Sequence, residues 1–93
     1  MKVKIVKEEG NELRLEIEGE GHTIGNLLQQ ELLEDKKVEI AGYDVPHPLI
    51  SSTVIYIRTT GRKSPRKTLQ EALARLETKF DEFRKKFEEL SPR

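Results

Sequence analysis

The sequence predicts an α+β fold, a small four-stranded, mostly antiparallel sheet with two helices on one face. Three observations predict it. Leu13, Leu15 and Ile17 alternate with Arg14, Glu16 and Glu18, the period-two pattern of a strand with one face in a core and one in water. In the last third, Leu69, Leu73, Leu76, Phe80, Phe83, Phe87 and Leu90 recur at steps of four and three, a heptad stripe on a long helix. The elements run strand, strand, helix, strand, strand, helix, an order that lets both helices cover the same side of one sheet.

Taken in order, Lys2 to Lys7 and Glu12 to Glu18 read as two strands joined by the turn-rich Glu8-Glu9-Gly10-Asn11. Gly19-Glu20-Gly21 breaks the second strand. Thr23 is placed to cap a first helix running to about Asp35, with Ile24, Leu27, Leu28 and Leu32 on one face. Val38 to Tyr43 follows as a third strand. It is closed by Asp44-Val45-Pro46-His47-Pro48, where two prolines fix the backbone and interrupt any ladder. Thr53 to Thr59, dense in β-branched residues, is the fourth strand. Ser64 then caps the long helix, Pro65 sits in its first turn where a missing amide hydrogen costs nothing, and Ser91-Pro92 ends it.

Ninety-three residues allow one domain, spanning 1–93, with a modest core and little room for an enclosed active site. The absence of cysteine excludes disulfides and thiolate metal sites. His22 and His47 remain as soft-metal ligands, too few for a closed site, so no metal is expected. No segment approaches ~18 uninterrupted apolar residues, and the chain reads as soluble and cytoplasmic, with no membrane partner. Residues 1–61 hold seven basic and eleven acidic side chains, residues 62–93 ten and six. A mild asymmetry of this kind favours complementary docking over indiscriminate nucleic-acid binding. The 37% charged content, rich in Lys and Glu and poor in Asn and Gln, resembles that of hyperthermophile proteins.

A helix from Pro65 to Leu90 is roughly 39 Å long, whereas a compact domain of this length has a diameter of only about 30 Å. The helix therefore overshoots its own domain, and the overshoot carries all three phenylalanines, Phe80, Phe83 and Phe87. Either the stripe lies back across the sheet as core, or a partner protein covers it. The phenylalanine half favours the partner, because an apolar stripe left in water is an aggregation hazard.

No carboxylate is tied by spacing to a nucleophile or base, so no catalytic residue and no cofactor site is named. Gly61-Arg62-Lys63-Ser64 sets amides and two cations at a helix start, as phosphate loops do, but lacks the preceding glycine of a Walker motif. Arg62, Lys63, Arg66 and Lys67 form either a solvated basic loop or a nucleic-acid contact. The second option is the alternative function, a free-standing nucleic-acid-binding module.

Gly21-His22-Thr23-Ile24-Gly25-Asn26-Leu27-Leu28, then Ala41-Gly42-Tyr43-Asp44-Val45-Pro46-His47-Pro48-Leu49, then Ile55-Tyr56-Ile57-Arg58-Thr59, closely resemble a known family. It is that of the small α-like dimerisation subunits of cellular RNA polymerases: archaeal subunit L, its eukaryotic counterpart and, more distantly, the dimerisation domain of the bacterial α subunit. The resemblance covers essentially the whole chain. It implies a non-catalytic assembly subunit of DNA-directed RNA polymerase that heterodimerises with a larger α-like subunit, called D in archaea. The large catalytic subunits would assemble on that platform, with nucleic acid met only indirectly. The implied interface combines Ile24, Leu27, Leu28 and Leu32 with Leu69, Leu73, Leu76, Phe80, Phe83 and Phe87. The family motif falls on Gly21, His22, Thr23, Gly25, Asn26, Gly42, Tyr43, Pro46, His47 and Pro48. Physically, Gly25 would permit close backbone approach, and Thr23 and Asn26 would hold the loop before the helix by side-chain to backbone hydrogen bonds. Gln29 and Gln30 stand where the bacterial relative has basic residues, so a basic grip on a large subunit is not implied. Homodimerisation through the same surface is the other assembly the sequence permits.

Overall fold

The structure, a computed structural model, describes residues 1–46 and 52–90. His47 and Pro48 of the expected motif lie outside the described residues. The elements are β1 (Lys2–Glu9), β2 (Glu12–Glu18), α1 (His22–Leu32), β3 (Val38–Asp44), β4 (Ser52–Thr59) and α2 (Pro65–Leu90). The four strands form one antiparallel sheet in the order β1-β2-β4-β3. The fold class is the one the sequence predicts.

The alternating strands aim their apolar sets at one side. Leu13, Leu15 and Ile17 of β2 lie beside Ile55 and Ile57 of β4, and Leu28 and Leu32 of α1 with Ala72 and Leu76 of α2 close the core above them. Both helices thus share one face of the sheet. The opposite face carries Arg14, Glu16, Tyr56 and Arg58; the Arg14 guanidinium stacks 5.3 Å from the centroid of the Tyr56 ring, whose hydroxyl donates to the Glu12 carboxylate.

β3 runs one residue further, to Asp44, and β4 begins one earlier, at Ser52; three other boundaries also differ from expectation. β1 runs on to Glu9, which narrows the turn to Gly10-Asn11, with a φ of 57° at Gly10 and no positive φ at Asn11. Glycine at the first central position is what a type II′ hairpin turn requires. The register between β1 and β2 shifts between Ile5 and Lys7, so Val6 is a bulge. The bulge turns Glu8 toward the helix face, where Arg66 of α2 donates two hydrogen bonds to its carboxylate at 2.7 and 2.6 Å.

α1 begins at His22 rather than after Thr23, and no side chain among the described residues caps it. Instead the Thr53 hydroxyl of β4 reaches the carbonyls of Glu20 and Gly21, both at 2.8 Å, and holds the loop from below. The helix stops at Leu32, short of Asp35. The Glu34 and Asp35 amides tighten onto the carbonyls of Glu31 and Leu32, and Asp35 turns its carboxylate onto the Lys37 amide at 2.8 Å. Ser64 does cap α2, its hydroxyl accepting from the Lys67 amide at 3.2 Å.

Candidate protein-docking surface

The buried residues of α2 after Pro65, namely Thr68, Ala72 and Leu76, fall on one line. This is a plain i, i+4, i+8 row. It is not the heptad stripe, with which it shares only Leu76. From Glu77 to Leu90 every residue is exposed. Those fourteen residues project roughly 21 Å at 1.5 Å each. The radius of gyration is 15.0 Å, against about 12 Å for a compact chain of this length.

Phe80, Phe83 and Phe87 are 56%, 68% and 58% exposed, and Leu90 is 81% exposed. The Phe83 and Phe87 rings lie 6.4 Å apart, centroid to centroid. Elsewhere on this segment Arg84 bonds Asp81 and Glu88 at 2.7 and 2.9 Å, and Lys85 meets Asp81 at 3.2 Å. Such i,i+3 and i,i+4 pairs support a helix that has no sheet beneath it.

The residues expected at a partner interface fall into three groups. Leu28, Leu32 and Leu76 turn into the chain's own core, because the apolar face of β2 and β4 needs them as its cover. Ile24, Leu27 and Leu69 pack partly buried against that core. Leu73 joins the phenylalanines as exposed surface. Sequence reasoning missed an adjoining patch: Val3 and Ile5 of edge strand β1 face the helix side, yet neither helix reaches over them. With Leu13, Leu15, Leu69 and Leu73 they line an open apolar groove between β1 and α2. The pattern Val3-x-Ile5 was the available signal, since it pairs with Ile17 and Leu15 across the hairpin.

The motif residues gather at the other end of α1. His22, Thr23, Asn26 and Tyr43 line one open hollow with Leu27 and Gln30. Gly25 is buried for a different reason from the one expected: what approaches it is a side chain, not backbone. A methyl group placed on Gly25 would lie 2.5 Å from Cδ2 and 2.7 Å from Cγ of Tyr43. The His22 ring meets Tyr43 edge-on with centroids 5.8 Å apart, its Nδ1 3.4 Å from the hydroxyl. Thr23 and Asn26 are exposed, and among the described residues neither bonds the loop; Asn26 accepts from Gln30 Nε2 at 3.2 Å, and Thr53 holds the loop. Gln29 donates to the Ala41 carbonyl at 3.1 Å and ties α1 to β3. Gly42 is half-buried and Pro46 exposed.

Two cations of the basic loop are engaged within the chain. Lys63 meets Glu71 at 2.6 Å, and Arg66 is held by Glu8. Arg62 and Lys67 are exposed. The Ser64 hydroxyl and carbonyl take the Lys67 and Thr68 amides, so the helix start offers few donors to a phosphate. Among the described residues no three His, Cys, Asp or Glu side chains cluster to hold a metal ion, and no helix is long and apolar enough to cross a membrane.

Comparison with known proteins agrees with this arrangement. Residues 12–86 match the RNA polymerase Rpb3/Rpb11 dimerisation domain. DNA-directed RNA polymerase subunit Rpo11 of Sulfolobus acidocaldarius is 51% identical over 73 residues, covering 78% of this chain and 81% of that one. Its counterpart from Methanothrix thermoacetophila is 43% identical over 89 residues, covering 96% and 97%. The solved structure of DNA-directed RNA polymerase subunit L from Thermoplasma acidophilum shares the fold, with a TM-score of 0.83 at 24% identity over 95% of this chain and 86% of that one. With its sheet, its two helices on one face and its uncovered apolar helix, the chain belongs to the RNA polymerase Rpb3/Rpb11 dimerisation-domain family.

Proposed function

We propose that this chain, as one α-like dimerisation domain over residues 1–93, is a non-catalytic assembly subunit of a cytoplasmic DNA-directed RNA polymerase. It pairs with a larger α-like subunit, the counterpart of the one called D in archaea, and the large catalytic subunits assemble on that pair. The observation that carries the reading is the half-helix from Glu77 to Leu90, apolar on one side and uncovered among the described residues. Association costs ~4–15 kcal/mol in lost freedom. A fully buried phenylalanine returns about 1.5–3 kcal/mol, so three of them, with Leu73, the groove beside β1 and the partner's own apolar residues, are of the size needed. The family match and the names of the relatives support the same reading.

The test is co-expression with the larger α-like polymerase subunit of the same organism, followed by mass in solution. The chain and its α-like partner are expected to co-purify as a one-to-one complex. Phe80→Glu with Phe83→Glu should abolish it while leaving the chain folded, since neither ring touches the core. A wild-type chain that stays apart from its α-like partner would refute the proposal.

A further inference from the structure

Among the described residues, Glu31 is the one charged side chain in the buried set, 3% exposed, and it sits where α1 crosses α2. Its Oε2 accepts from Arg75 Nε at 2.7 Å and its Oε1 from Lys79 Nζ at 2.7 Å. Arg75 Nη2 also donates to the Glu31 carbonyl at 2.9 Å, and Lys79 bridges to Glu34 at 2.9 Å. Arg75 thus also supplies positive charge to the last turn of α1, where the helix dipole favours it.

Burying a carboxylate is costly unless it is fully partnered, so the site needs a reason. Its position supplies one. The buried line of α2 ends at Leu76, and Phe80, the first phenylalanine of the uncovered stripe, follows Lys79 directly. Leu69 and the Arg66–Glu8 pair brace the first half of α2 on the β1 side, but no residue of α2 past Leu76 is buried, so packing alone leaves the second half free to swing. Arg75 and Lys79 grip it from the side at that end. Leu76 to Glu89 is about 20 Å at 1.5 Å per residue, so each 10° of swing carries the tip about 3 Å. Close-packed interfaces do not tolerate such displacement.

We infer that the Glu31–Arg75–Lys79 cluster is a positioning device: it sets the direction and roll of the free half of α2, and so presents the phenylalanine face to the partner. The inference rests on the docking role proposed above, but its first test does not need the partner.

The full sequence contains no cysteine. Spin labels at Glu18→Cys on the end of β2 and Glu89→Cys near the tip of α2 therefore report one distance. Wild-type chain is expected to give a narrow distribution, and Glu31→Gln a distribution broadened or displaced by several ångströms. Lys79→Met, at a half-exposed position and safe for folding, should broaden it less. Ser64→Ala lowers stability at the far end of the helix and should leave the distance unchanged. In the second measurement, affinity for the larger α-like partner should fall about tenfold in Glu31→Gln if the docking direction drops to about a tenth of the population, and should hold in Ser64→Ala. Coincident distances in wild type, Glu31→Gln and Lys79→Met would overturn the inference, as would broadened distances with unchanged affinity. If wild-type chain does not bind the α-like partner, the proposed function fails while the label distances still decide the clamp.

Discussion

Glycine to alanine inside a helix ordinarily stabilises by roughly 0.5–1 kcal/mol, because the unfolded chain loses freedom. Gly25→Ala should do the reverse. The added methyl would sit 2.5 Å from Cδ2 and 2.7 Å from Cγ of Tyr43, and these atoms lie at the root and body of the ring rather than at a flexible end. The ring is packed against the core on one side and met edge-on by His22 on another, so it cannot swing aside without giving up those contacts. Overpacking of this kind costs ~1–3 kcal/mol. Set against the helix gain, the net loss should centre on about 1 kcal/mol and reach at most about 2.5, at roughly 4–8 °C in Tm per kcal/mol for a domain of this size. Thermal and denaturant melts of the full chain measure it. In a Tyr43→Ala background the same Gly25→Ala change should become stabilising, a coupling of about 1–3 kcal/mol between the two sites. A stabilising Gly25→Ala in the wild-type background, or an equal loss with and without the ring, would refute the reasoning.

Three further outcomes follow from the polar contacts. The Lys79 hydrogen bond, against the cost of burial and with help from Arg75, holds the Glu31 carboxyl below its ordinary value of 4.5, and Glu8, Glu12 and Asp81 are lowered in the same direction by their own partners. Stability from these groups is complete above the unfolded value and drains away as pH falls through the lower folded values; Tm against pH should fall below about pH 4.5 and be shallower in Glu31→Gln, whereas parallel curves would count against the ion cluster. Ser64→Ala removes the cap on α2 and should cost ~1 kcal/mol in denaturant melts, with Ser64→Asp restoring it. Because Lys63 and Arg66 are engaged by Glu71 and Glu8, the isolated chain should bind duplex DNA weakly and with a shallow salt slope; a steep one would favour the basic loop as a nucleic-acid site.

What the sequence made legible was whatever repeats. The alternation in β2, the β-branched run of β4 and the heptad spacing of α2 each carry a period, and each led to the right element, although the heptad stripe is not the side by which α2 is seated. Pairwise events without a period did not show. The Val6 bulge that turns Glu8 toward Arg66, and the Thr53 hydroxyl beneath the loop before α1, join residues 58 and 32 or 33 positions apart. Thr68 and Ala72 are small, so the row that seats α2 was invisible beside the larger leucines and phenylalanines of the stripe. For the same reason Leu28, Leu32 and Leu76 looked like partner surface: an apolar column in a sequence does not say which of two cores it enters. Glu31 was the least legible of all. A glutamate in a helix reads as solvated, and only the approach of Arg75 and Lys79 from α2 reveals why it is buried.

Protection of the free half-helix tests the central claim most directly. Amide hydrogen exchange over residues 80–90, past the Lys79 contacts with α1, should be faster in the isolated chain than over the seated half of α2, because no residue there is buried. On adding the larger α-like polymerase partner, those same amides should become strongly protected, together with the β1 edge beside the groove. Exchange that stays fast across Phe80, Phe83 and Phe87 in a mixture where the two chains are shown to associate would contradict the account.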